Sequence, residues 1–68
     1  MDYSFEIKNS KNERVAFRTI TSTTKSGILK EASEYVKRNP QITGCGHTCT
    51  ITSFDWQRGS RICGRYNL

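Results

Sequence analysis

The sequence predicts an α+β domain of order ββαββ, with two β-hairpins forming an antiparallel sheet and one α-helix packed on one of its faces. Three observations predict it. Apolar and polar residues alternate with period two near both ends of the chain, as in strands with one buried face. A central stretch carries an apolar stripe at helical spacing. Clusters of turn formers separate these segments. At 68 residues the chain has room for one domain, spanning 1–68.

Tyr3, Phe5 and Ile7 alternate with Ser4, Glu6 and Lys8, predicting a first strand. Asn9-Ser10-Lys11-Asn12 supplies a turn, and alternation resumes from Arg14 to Thr21, with Val15, Phe17 and Thr19 on the expected inner side. Ser22-Thr23-Thr24-Lys25-Ser26 is a run rich in helix N-cap residues. Ile28, Leu29, Ala32, Tyr35 and Val36 then fall on one stripe of a helix of about 11–13 residues. Lys30 with Glu34, and Glu34 with Arg38, are charged i,i+4 pairs on its other side. Lys37 and Arg38 suit the negative end of the helix dipole, and Asn39-Pro40 ends the helix.

Residues 41–47 read as a glycine-containing loop, 48–56 as a third strand and 61–66 as a fourth. A three-residue loop, Gln57-Arg58-Gly59, sets Asp55 opposite Arg61 and Phe54 opposite Ile62. A two-residue loop, Arg58-Gly59, shifts that register by one. Ile51 is out of phase with Phe54, which leaves open a bulge near Ser53. The expected core is Tyr3, Phe5, Ile7, Val15, Phe17, Leu29, Ala32, Val36, Phe54 and Ile62.

Hydrophobic residues make up 34% of the chain, so the core is small. Mean hydropathy is −0.69, yet seven aromatics, a single proline and periodic apolar segments argue for a folded chain over a disordered one. No apolar run approaches a membrane span or a signal peptide, so the expectation is a soluble cytoplasmic monomer.

Charge is the clearest functional signal. The chain is +5, and it is asymmetric: residues 1–34 carry six basic and five acidic side chains, residues 35–68 five basic and one acidic. Lys37, Arg38, Arg58, Arg61 and Arg65 make up the second group, four of them arginines suited to planar contacts with phosphate or carboxylate. Trp56 and Tyr66 are interleaved with them, as stacking on bases requires. Together with Lys30 these residues form the candidate partner- or nucleic-acid-binding set. A merely solvated basic face is the competing reading.

Cys45, His47, Cys49 and Cys63 formally make a Cys₃His zinc set. The spacing argues against it, since Cys45, His47 and Cys49 are each separated by a single residue; no metal or other cofactor is expected. Small buried Cys49 and Cys63 with a loop thiol at Cys45 is the simpler reading. A Cys49–Cys63 disulfide stays open, although neither register makes them direct neighbours. His47 is the lone histidine and is badly spaced to activate either nearby thiol, and Glu31 and Glu34 sit among lysines and arginine. No enzymatic activity is expected.

A strand leading into Ser/Thr caps, a lysine-bearing helix over Ser26–Arg38 and a hairpin over Cys49–Tyr66 with a glycine turn together resemble the small phage-encoded anti-CRISPR proteins, in particular a basic type I-F inhibitor. The likeness is architectural and runs from about Arg14 onward; the segment holding Cys45, His47 and Cys49 has no counterpart in it. Such proteins bind CRISPR surveillance complexes and block target-DNA hybridisation without being enzymes. The resemblance implies that Lys30, Lys37, Arg38 and the Arg58–Arg65 hairpin face a CRISPR–Cas nucleoprotein complex or its nucleic acid, in the cytoplasm of a bacterial host. The alternative from the same residues is a free-standing module that binds DNA or RNA directly.

Overall fold

A computed structural model describes residues 1–68 and has the expected element order. Strands β1 (Asp2–Lys8) and β2 (Arg14–Ile20) are followed by helix α1 (Lys25–Arg38), a 3₁₀ turn at Pro40–Ile42, and strands β3 (Thr48–Asp55) and β4 (Gly59–Asn67). The strands form one antiparallel sheet in the order β2-β1-β3-β4, so β1 and β3 are central and β2 and β4 are edges.

Local chemistry explains the turns. The Asn9 side-chain oxygen accepts from the backbone N–H groups of Lys11 and Glu13, each at 2.9 Å, and Asn12 takes the left-handed conformation that asparagine tolerates. Within the hydroxyl-rich run it is Thr24 that caps α1, its Oγ1 accepting from the Gly27 N–H at 3.1 Å. Asn39 ends the helix by donating through both its backbone N–H and its side-chain Nδ2 to the Tyr35 carbonyl. Proline fits the start of the short 3₁₀ turn that follows, which carries Ile42 into the core.

The helix lies over β1 and β3. Phe5, Ile7, Ile28, Ala32, Ile42, Cys49 and Ile51 are buried between them, with Tyr3, Leu29, Tyr35 and Val36 packed around the margin. Phe5 and Tyr35 meet as a tilted ring pair, centroids 5.9 Å apart.

Four residues of the expected core are exposed. Val15 and Phe17 are exposed, because β2 presents Ala16, Arg18 and Ile20 towards the helix, opposite Ile7, Phe5 and Tyr3. Phe54 and Ile62 are exposed too, because the inner positions of β3 are Cys49, Ile51 and Ser53. Leu29 and Val36 are only half-buried, and Ile28 is the fully buried residue of the stripe.

The second hairpin adopts neither expected register. Asp55 pairs with Gly59, Phe54 with Ser60 and Ser53 with Arg61, so the connection is Trp56-Gln57-Arg58. Asp55 opens that turn: its carboxylate accepts the Gln57 N–H at 2.9 Å and its carbonyl accepts the Arg58 N–H at 3.1 Å. Gly59 closes it with φ of +79°, a conformation that glycine adopts without strain. An irregularity does occur near Ser53, between Ile51 and Thr52, with Cys63 as the extra residue on β4.

Candidate binding surfaces

Only one side of the sheet is covered by the helix. The cross-strand rows place Phe17, Glu6, Thr50 and Arg65 side by side on the opposite side. The next row on that side is Thr19, Ser4, Thr52 and Ile62, and beyond it lie Asp2, Phe54 and Ser60. Phe17 is 47% exposed, Phe54 38% and Ile62 52%, so this open face is threonine-rich with large apolar side chains standing on it. Glu6 is tied to Arg14 at 2.7 Å and to Lys8 at 3.6 Å, and the Arg14 guanidinium lies 4.7 Å from the centroid of the Phe17 ring.

All eight residues of the candidate binding set are exposed, but they do not share one surface. Arg65 pairs with Thr50 and belongs to the open face. Arg61 pairs with Ser53, which itself faces Tyr3, and so belongs to the helix side. The extra residue at Cys63 reverses the alternation between these two arginines. Arg58 sits on the turn, and none of Lys30, Lys37, Arg58, Arg61 and Arg65 makes a salt bridge. Lys37 and Arg38 flank a shallow recess with Glu34 at the end of the helix.

Two concavities gather other members of the set. On the helix side, β4 extends beyond the helix and leaves a groove of about 390 Å³, where Leu29, Val36 and Lys37 face Tyr66, Leu68 and Cys49. At the end of the sheet, a shallow hollow of about 730 Å³ is lined by Met1, Asp2, Phe54, Asp55, Trp56, Gly59 and Ser60. Trp56 is 91% exposed beside it, and the Asp2 carboxylate accepts the Ser22 N–H at 3.1 Å. Sequence reasoning identified Trp56 but assigned Phe54 to the core and gave Asp2 no role. The signal available was Phe54-Asp55-Trp56 running directly into a turn, where two large rings have little to pack against.

The thiols and imidazole are dispersed. Cys45 is exposed in the loop and donates to the Gln41 carbonyl at 3.3 Å, Cys49 is buried under the helix, and Cys63 is at the β4 irregularity. All three cysteines are free, and no group of three potential metal ligands comes together. His47 Nδ1 is buried without a hydrogen-bond partner. Burial pushes the Cys49 thiol above its ordinary pKa, which favours an inert thiol over a nucleophile. No helix is long and apolar enough to cross a membrane.

No protein-family model matches the chain, and neither a curated protein nor a solved structure matches it.

Proposed function

We propose that this chain is a small non-enzymatic binding protein that docks by its open sheet face on a protein subunit of a nucleic-acid-handling complex. The resemblance to anti-CRISPR proteins supplies the candidate complex, a CRISPR surveillance complex whose access to target DNA would be blocked. The observation that carries the reading is the uncovered sheet face, where Phe17, Phe54 and Ile62 remain exposed although a domain this small needs every apolar group it can bury. Apolar side chains set among threonines, with the one central charge, Glu6, already paired with Arg14 and Lys8, suit a protein interface.

Direct binding of DNA or RNA is the second reading. It is supported by exposed cations without acidic partners at Lys30, Lys37, Arg58, Arg61 and Arg65. Their division between the two sides of the sheet makes a continuous phosphate track harder to build.

Pull-down of a CRISPR surveillance complex, beside mobility shifts with naked duplex and single-stranded DNA, tests both. The docking reading expects capture of the complex, little binding to DNA at physiological salt, and loss of capture in Phe17→Ser/Ile62→Ser. Binding to DNA alone, falling steeply with salt and lost in Arg58/Arg61/Arg65→Glu, would replace it with the second reading.

A further inference from the structure

The hollow at the end of the sheet differs in chemistry from the rest of this basic chain. Its rim carries three large exposed apolar side chains, Met1, Phe54 and Trp56. Its charged side chains are two carboxylates, Asp2 and Asp55. Each accepts one backbone N–H, from Ser22 and Gln57 respectively, and neither forms a salt bridge with a cation of the chain. Even with the terminal ammonium of Met1 counted, the lining is net negative in a molecule of charge +5. An aromatic ring attracts cations through its negative face, and carboxylates supply the directional partner.

We propose that this hollow receives an arginine or lysine side chain projecting from the protein partner. The carboxylates of Asp2 and Asp55 accept its N–H groups, while Trp56 and Phe54 cover its aliphatic stem and charged plane. The inference rests on the docking reading, and it names the partner's chemistry: a basic segment, of the kind a nucleic-acid-binding subunit uses to hold phosphates. The two carboxylates stand where phosphate oxygens would otherwise stand, so occupation of the hollow competes with nucleic acid for the same cation.

Trp56 is the single tryptophan, so its fluorescence reports the hollow directly. A tetra-arginine peptide should change the emission saturably, and added salt should weaken the effect. A tetra-glutamate peptide and an oligothymidylate should leave it unchanged. Asp2→Asn/Asp55→Asn keeps the oxygen that each backbone N–H needs, so the fold is retained while affinity for tetra-arginine drops at least about tenfold, as expected when charge-assisted bonds become neutral ones. Equal affinity in that variant, no response to tetra-arginine, or a response to oligothymidylate in its place would overturn the proposal. Capture of the surveillance complex is measured on the same proteins. If Phe17→Ser/Ile62→Ser abolishes capture and Asp2→Asn/Asp55→Asn does not, the docking reading stands and this inference fails. If the wild type captures nothing, the docking reading fails and the peptide titration still decides whether the hollow binds cations.

Discussion

Replacing Ile28 by Ala should come close to unfolding the domain. Ile28 has no exposed surface and belongs to the cluster formed by Phe5, Ile7 and Ile51. The change removes three buried carbons, worth about 2.4 kcal/mol at roughly 0.8 kcal/mol each. The cavity left behind raises the cost to about 3–4 kcal/mol, because a core held by a four-stranded sheet can collapse only partly. A chain of this length has about 3–10 kcal/mol in total, towards the low end for so small a core. Leu29 provides the internal control. It is half-buried and forms a wall of the open groove beside Tyr66, so water can enter the space it vacates and Leu29→Ala should cost about 1–2 kcal/mol. Urea titration followed by far-ultraviolet circular dichroism measures both. Thermal melts should fall by about 12 °C or more for Ile28→Ala. A cost below about 1 kcal/mol for Ile28→Ala, or a larger cost for Leu29→Ala, would refute the placement of the helix over the sheet.

Other outcomes follow from single contacts. Thr24→Ala removes the cap on the Gly27 N–H and should cost about 1 kcal/mol in a thermal melt, with Thr24→Ser restoring most of it. Gly59→Ala meets no neighbouring atom, so its cost of about 1–2 kcal/mol should be purely conformational, and a neutral result would show that the turn differs from the one described. Burial raises the Cys49 pKa above its ordinary 9.0, so the folded state holds that proton more tightly than the unfolded chain. Stability from this group is therefore complete below about pH 9 and is lost as pH rises through the raised value. In mass-spectrometric alkylation at neutral pH, exposed Cys45 should react well before Cys49. A strong chelator should leave the circular dichroism unchanged, since no three metal ligands converge; loss of structure would establish a metal requirement.

Order and type of elements were legible because each is a local pattern: alternation at Tyr3–Lys8, the stripe from Ile28 to Val36, the hydroxyl run before it and Asn39-Pro40 after it. Which side of each outer strand turns inward was not legible. In β2 the more apolar set, Val15 and Phe17, lost the inner positions to Ala16, Arg18 and Ile20. Binary patterning assumes that the larger apolar side chains seek the core, but a single helix covers only the two central strands. The outer strands therefore gain little by turning their largest residues inward, and pairing with β1 decides their phase. The hollow was illegible for a related reason, since Asp2 and Phe54 become neighbours only through the pairing of β1 with β3.

The irregularities that defeated the pattern have a physical purpose of their own. Both edge strands carry one: Val15 in β2 and Cys63 in β4 have no cross-strand partner. A regular edge offers a row of free N–H and C=O groups to any other strand, and a bulge twists that row out of register. The edges also hold exposed arginines, Arg14 and Arg18 on β2, Arg61 and Arg65 on β4. Charge and bulges together disfavour edge-to-edge pairing between copies. The bulge at Cys63 also decides which side chains of β4 stand on each side of the sheet. By reversing the alternation of β4 it sends Arg61 to the helix side and leaves Ile62 on the open face, where a regular strand in register with Gly64–Asn67 would have done the opposite. The apolar character of the open face beside Thr52 thus follows from the Thr52–Ile62 pairing, with the extra residue absorbed as a bulge. Deleting Cys63 itself leaves Gly64, Ile62 and Arg61 opposite Ile51, Thr52 and Ser53, so a folded deletion variant should keep Ile62 on the open face and retain docking, and loss of docking in it would refute this account of the bulge.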